Sequence, residues 1–370
     1  MFAADADDSA SALVDGNPAD LRTAIARTVE ILRASRQPLL MSAGTDVAGM
    51  RALIELAERC GGILDHVNRD AMFRNLNVLR TTGWISTTLT EIRNRADLLV
   101  VAGTDITRHL PRFFERCYAD HDTLFETGGR ELWFLGDMPA DLPEALRRRT
   151  TSLPVDPSRL AELFSALRVL FAGRPLGGDN IAGIPVAILS GLLQRMRDAR
   201  YGVLAWAAAD LTFAHADLAV QSMCEFVNDL NTRSRFAVLA LGGSDADQTA
   251  QQVTTWQTGF PVCIDFSGGV PAQRAIEPGQ CDALVFVSAL DAGRIPQATG
   301  MPSIVLGRAG MQAGRCSVFI PVSVPGLHHS GHLYRADNVV ALHMRKLSGS
   351  ALPSAAQALQ RVLDALKDPR

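Results

Sequence analysis

The sequence predicts an α/β protein made of two similar halves, each a parallel sheet covered by helices. Three observations carry this. Short apolar strands alternate with amphipathic helical stretches almost throughout, the pattern of strands joined by helical crossovers. The order of strands in the first half recurs in the second. The chain has 370 residues, 47% hydrophobic and 20% charged, enough for two units with sizeable cores.

The elements follow in order. A helix is predicted over about 19–35, where Leu21, Ile25, Val29 and Leu32 recur at helical spacing behind the start signal Asn17-Pro18. Pro38 to Ala43 is a strand. The next helix carries Met50, Leu53, Ile54 and Ala57 on one face and ends at Gly61-Gly62, before the strand Ile63-Leu64-Asp65-His66. Asp97 to Ala102 and Leu132 to Leu135 are two more strands. The second half opens with Tyr201 to Trp206 and a long helix to about Leu230. Phe236 to Leu241 and Val262 to Asp265 are its next strands. Asp282 to Ser288 matches the strand beginning at Asp97, and its sequel Ala289-Leu290-Asp291-Ala292 matches Gly103-Thr104-Asp105-Ile106. Ser303 to Gly307 answers Leu132 to Gly136, and Val318 to Pro321 answers Thr151 to Val155.

The expected boundaries are therefore 1–156 for an N-terminal helix and a first Rossmann-like half, and 201–325 for a second. Between them, 157–200 is a helical connector with Leu160, Leu163, Phe164, Leu167 and Phe171 on one face, and 326–370 is a return loop and C-terminal helix. Two such halves would leave a cleft at the carboxyl ends of their strands, where large cofactors bind in such folds.

The net charge of -3 argues against a nucleic-acid surface or a polybasic membrane patch. The start, Met1 to Asp8, is acidic and has no apolar core, so it does not read as a signal peptide. No apolar run approaches the roughly 18 residues that span a bilayer, and a cytoplasmic location is expected. Cys60, Cys117, Cys224, Cys263, Cys281 and Cys316 include no CxxC pair of the kind that zinc ribbons and ferredoxin-type clusters need. Most of the six sit in apolar stretches and read as buried reduced thiols.

Generic motifs are scarce. There is no Walker A motif, HExxH or GxSxG elbow, and no GxGxxG follows a strand. The nearest approach is Gly44-Thr45-Asp46-Val47-Ala48-Gly49, where Asp46 stands in place of the second glycine and would repel a pyrophosphate. His328, His329 and His332 cluster, with His343 following. Imidazoles so spaced could hold a metal, or could line a solvated loop. Asp65-His66 ends a strand ahead of Asn68-Arg69-Asp70, a position that is equally a site or a wet loop.

Longer strings are more telling. Gly331-His332-Leu333-Tyr334-Arg335-Ala336-Asp337-Asn338-Val339 resembles the GTxYRMDxV segment of formylmethanofuran dehydrogenase B subunits. Thr255-Trp256-Gln257-Thr258-Gly259-Phe260-Pro261, with Asp265-Phe266-Ser267 and Gly269, resembles that family's TWQTGYP…DFSRG. Ile92-Arg93-Asn94-Arg95-Ala96-Asp97, with Gly103 and Pro111-Arg112, is similar to its EVKNRAD…WG…PRH, and Asp15-Gly16-Asn17-Pro18 to its DGKPV. The matches run in order over nearly the whole chain. The resemblance implies two Rossmann-like halves of the molybdopterin oxidoreductase type. In that family a cysteine-rich N-terminal segment holds a 4Fe–4S cluster, and a cysteine in a segment like DHTSSVCHGP binds tungsten or molybdenum. A bis-pterin cofactor fills the cleft, where CO2 and formate are interconverted, and an amidohydrolase-like A subunit joins formate to methanofuran.

This sequence departs from the pattern. It begins almost where the cluster domain should end, and no cysteine precedes Cys60, so the iron–sulfur domain is expected to be missing. Counting from Asp65-His66, Ala71 falls at the metal-binding cysteine, and a methyl group ligates nothing. The family's RGHxN appears as Gly242-Gly243-Ser244-Asp245, an acid where a cation would be. The expectation is a degenerate, non-catalytic B subunit, as in the formyltransferase/hydrolase complex of methylotrophic bacteria. It would have lost the tungsten or molybdenum pterin and the cluster, and would scaffold the A, C and D (formyltransferase) subunits. His66, Arg69, Asp70, Ala71, Arg74, His329, His332 and Arg335 are the candidates to line its vestigial cleft, with no catalytic or metal-binding role. Two alternatives stay open. One is an active pterin enzyme with hydroxide or Asp70 as ligand. The other is a module in which Arg69, Arg74, Arg335 and the histidines hold an anion or a cofactor's tail.

Overall fold

A computed structural model describes residues 10–118, 123–125, 129–244, 246–273, 276–277, 279–297, 300–312 and 314–367 of the chain. The acidic start at Met1 to Asp8 and the acid at Asp245 lie outside the described residues. Ten strands form the centres of two sheets. In chain order they are β1 (Pro38–Ser42), β2 (Ile63–His66), β3 (Leu98–Ala102), β4 (Glu131–Leu135), β5 (Thr150–Leu153), β6 (Gly202–Ala207), β7 (Phe236–Leu241), β8 (Ala283–Ser288), β9 (Ser303–Arg308) and β10 (Val318–Val322). One sheet runs β2-β1-β8-β9-β10 and the other β7-β6-β3-β4-β5, every one of these pairs parallel. The protein is thus mixed α/β. Strands covered by helices on both faces have no polar side to show, so β3, β6 and, up to its final Ser288, β8 are apolar runs buried at every residue.

The internal repeat is present, and it is exchanged. Strands β1 and β2 of the first repeat join β8, β9 and β10 of the second, while β6 and β7 join β3, β4 and β5. Pro38 aligns with Ala283, and Leu98 aligns with Gly202. The chain accordingly divides into two compact units after Arg69 and after Gly243. The sequential halves expected at 1–156 and 201–325 are corrected by this pairing, because each central strand finds its neighbour in the other repeat.

The connector expected at 157–200 is part of the second unit. It consists of helices Leu160–Phe171 and Val186–Asp198 with the short strands Asn180–Ile181 and Ile184–Pro185 between them. In the first unit the return loop contains the hairpin of Gly331–Tyr334 and Ala341–Met344, and the C-terminal helix is Ala355–Lys367. The first helix, Leu21–Ala34, is capped by Asp20, whose carboxylate accepts from Thr23 N at 2.7 Å. Asn17-Pro18 belongs instead to a hairpin of Ala12–Val14 and Asn17–Ala19, turned at Asp15-Gly16 with φ of 49° and 82°. Among the described residues no helix is long and apolar enough to cross a membrane.

The two matched aspartates hold equivalent joints. Asp282, just ahead of β8, accepts from the Ser35 hydroxyl, from Arg36 N at 2.9 Å and from Gln37 N at 3.2 Å. Asp97, just ahead of β3, accepts from Arg200 N and Tyr201 N at 2.9 Å each. Each ties the entrance of the neighbouring central strand, β1 or β6, to the start of its own.

Candidate functional site

In open α/β sheets ligands bind beyond the carboxyl ends of the strands, and both units place polar side chains there. In the first unit, Asp46 follows β1 and caps helix Val47–Cys60, its Oδ1 accepting from Gly49 N at 3.0 Å. A carboxylate thus occupies the helix N-terminus, where a phosphate would otherwise find backbone donors. Asp46 is buried against Gly331, where an added Cβ would stand 2.6 Å from Oδ2. His329 lies beside it. Its Nδ1 is 2.8 Å from the Ser323 hydroxyl, and its Nε2, 4.0 Å from Asp46 Oδ2, is buried without a hydrogen-bond partner among the described residues. Burial lowers the His329 pKa against the opposing pull of Asp46, so the ring is held neutral.

At the end of β2, His66 is buried and its Nδ1 accepts from Asn68 N at 3.0 Å. Asp65, also buried, takes Arg69 Nη1 at 3.1 Å in an ion pair one helical turn apart. Cys263 adjoins this pair in a left-handed conformation (φ 62°), and burial, then Asp65, push its thiol pKa up. Burial raises Cys60 and Cys281 to about 11 and Cys224 to about 12, so these are protonated thiols, poor as nucleophiles and as soft ligands. None of the six cysteines is in a disulfide.

The histidine cluster does not converge. His332 packs against His343 across the hairpin, the rings tilted by 50° with His343 Nδ1 3.3 Å from His332 Nε2, while His328 Nδ1 accepts from Val324 N at 3.2 Å. Arg335 makes a two-pronged pair with Asp337 at 2.8 and 2.7 Å. Among the described residues no three His, Cys, Asp or Glu side chains are placed to hold a metal ion.

In the second unit the helix Arg69–Thr81, which enters this unit at Asp70, covers the carboxyl ends of β6 and β7. Asp70 is exposed in its first turn, whereas Ala71 is buried in the apolar core with Leu204 and Trp206 among its members. The Arg74 guanidinium donates to the carbonyl of Ala208, directly after β6. Asn75, which no motif in the sequence singles out, bridges the same edge. Its amide donates to Leu241 O and its Oδ1 accepts from Trp206 Nε1, both at 2.9 Å. Beyond β3, β4 and β5 lies a depression of about 510 Å³ lined by Asp105, Asp137, Asp156 and Asp210 with one cation, Arg108. Burial would push Asp210 up, but hydrogen bonds from His109 Nε2, 3.0 Å away, and the Thr104 hydroxyl hold its carboxyl below the usual range.

A pterin dinucleotide carries a pyrophosphate, and these residues do not fit one. The helix terminus after β1 is filled by Asp46, and the second unit's edge would set four carboxylates against it. The position expected of a metal-binding cysteine is a methyl group in an apolar core.

Comparison with known proteins agrees with the strings read from the sequence. No family model matches the chain. It is 25% identical over 348 residues to the B subunit of tungsten-containing formylmethanofuran dehydrogenase 2 of Methanocaldococcus jannaschii, covering 90% of this chain and 80% of that protein. It is 26% identical over 378 residues to the B subunit of the formyltransferase/hydrolase complex Fhc of Methylorubrum extorquens, covering 97% of each. Its structure is similar to a chain in the crystal structure of the FhcABCD complex of that organism with methylofuran. The TM-score is 0.80 at 25% identity, over 96% of this chain and 98% of that one. In sequence and in fold, then, the chain is similar to the B subunits of formylmethanofuran dehydrogenase and of the formyltransferase/hydrolase complex.

Proposed function

We propose that this chain is the non-catalytic B subunit of a cytoplasmic formyltransferase/hydrolase complex that converts formyl-methanofuran to formate in one-carbon oxidation. In this reading it keeps the two halves of the molybdopterin oxidoreductase type as a scaffold for the A, C and D subunits. It has given up the tungsten or molybdenum pterin and the 4Fe–4S cluster. The observation that carries the reading is Ala71. Where a metal-binding thiolate would be needed, the helix after β2 turns a methyl group into the second unit's core.

The surrounding cations support it. Arg69 is paired with Asp65, Arg335 with Asp337, and Arg74 with a backbone carbonyl, so the three arginines which the anion-binding alternative invokes beside the histidines each have a partner inside their own unit.

The test is formate release from formyl-methanofuran by the assembled complex, with His66, Arg69, Asp70, Arg74, His329 and His332 changed to alanine one at a time. A general acid or base contributes about 10²–10⁴-fold in rate. Variants that still assemble are expected to stay within roughly tenfold of the parent. A loss beyond roughly a hundredfold in an assembled variant overturns the scaffold reading, as does about one equivalent of tungsten or molybdenum in the purified complex.

A further inference from the structure

The second unit has a groove of about 600 Å³ on the opposite, amino-terminal edge of its sheet, at the starts of β3, β4 and β5 and the end of helix Val186–Asp198. Four arginines line it, Arg130, Arg148, Arg149 and Arg195, against Asp97, Glu131 and Asp198. The three carboxylates are engaged within the chain. Asp97 takes the N–H groups of Arg200 and Tyr201, Glu131 takes Arg195 Nε at 3.0 Å, and Asp198 takes the Gln194 amide at 2.9 Å.

Among the described residues, Arg195 alone of the four arginines is paired with one of these carboxylates. Arg130 is only 6% exposed and, among the described residues, makes no ion pair. Its guanidinium donates to the carbonyls of Ile92, Arg93, Cys117 and Tyr118, which close the helix Leu89–Arg95 and the turn Phe114–Tyr118, and its Nε has no partner among the described residues. Helix carboxyl ends are partially negative, so they hold this cation in place without neutralising it. Arg149 is exposed and lies over Gly129, where an added Cβ would stand 2.9 Å from its Nη1. Among the described residues its side chain has no ion pair or hydrogen bond. Among the described residues Arg148 reaches only the exposed Glu144, at 3.4 Å.

We infer that this groove is a binding site for a small oxyanion, a phosphate or carboxylate group taken by Arg149 and Arg148 at its mouth, with the buried charge of Arg130 behind them. A planar guanidinium matches such groups with two parallel N–H donors. A buried cation also attracts an anion with less screening than a surface one.

The probes are inorganic phosphate and glutarate, titrated calorimetrically into the full chain, or into its complex if it purifies as one, at ionic strength matched with sodium chloride. Saturable binding of one or both is expected, and which of them binds identifies the preferred oxyanion. Arg149→Ala is expected to weaken it about tenfold or more, the effect of one charged hydrogen bond. Arg149→Lys should lose less, and Arg22→Ala, an exposed arginine in the other unit, nothing. Circular dichroism checks that the variants are folded. Two outcomes overturn the inference: no saturation by either probe up to roughly 50 mM, or unchanged affinity in a folded Arg148→Ala/Arg149→Ala double variant.

Discussion

Replacing Asp282 by alanine isolates the clamp between two neighbouring strands. The carboxylate accepts from the Ser35 hydroxyl and from the N–H groups of Arg36 and Gln37, and so ties the entrance of β1 to the start of β8. Hydrogen bonds to a charged group contribute about 1.5–3 kcal/mol each when buried. This side chain is 35% exposed, and the freed N–H groups can turn to water, so the three together are expected to be worth about 2–3 kcal/mol. In a unit of this size that lowers the melting temperature by roughly 4–10 °C. The Ser35 hydrogen bond, followed by those of Arg36 and Gln37, holds the Asp282 pKa below its usual value. The contribution is therefore present above the ordinary carboxylate pKa of about 3.9 and fades as pH falls through the lower folded-state value. Scanning calorimetry of Asp282→Ala beside the parent at neutral and acid pH measures both effects. Asp97→Ala, at the equivalent joint of the second unit, should lose a comparable amount. A shift of less than roughly 1 °C in both variants at neutral pH would refute the clamp.

Two further outcomes follow from the first unit's polar edge. Gly331→Ala sets a Cβ 2.6 Å from Asp46 Oδ2 and should destabilise by about 1–3 kcal/mol. Combined with Asp46→Ala, which alone loses a cap worth about 1 kcal/mol, the double variant should unfold less readily than the sum of the two predicts, and strict additivity in urea titrations would count against the contact. His329 has its pKa lowered by burial, so the stability it supports is present above the unfolded value near 6.5 and is lost as pH falls through the folded one. His329→Gln should flatten the stability profile in that window. An NMR titration placing the ring at or above about 6.5 would contradict this.

How much of the molecule is legible in the sequence depends on whether a feature is local. The strand Phe236–Leu241 has the bounds the sequence suggests, because a strand buried on both faces is an unbroken apolar run. The repeat is legible too, down to Asp97 and Asp282. Which strand pairs with which is not, since parallel apolar strands carry little information about their neighbours, and the exchange between repeats stays hidden for that reason. Asp15-Gly16 carries a turn signal, but the helix-start signal of Asn17-Pro18 beside it masks the hairpin. Asp46 can be read as hostile to a pyrophosphate; its burial under Gly331 cannot, because that contact joins residues far apart in the chain. Asn75 is invisible on the same ground, its partner Trp206 lying 131 residues away. The histidines look like one cluster because they are near in sequence, yet the hairpin gives His332 to His343 and leaves His329 to Ser323.

The exchange of repeats has a consequence for the order in which the protein is made. The second unit is one continuous stretch, Asp70 to Gly243, and every strand of its sheet is available once that stretch has left the ribosome. The first unit is synthesised in two instalments. Its β1 and β2 emerge early, but β8, which must lie against β1, is separated from it by more than half the chain. Closing so long a loop is slow, and during that wait β1 has an unpaired apolar edge. Co-translational folding therefore runs from the middle outward, with the inserted unit formed before the unit into which it is inserted. During synthesis the exposed edge of β1 is the part of this chain most in need of a chaperone.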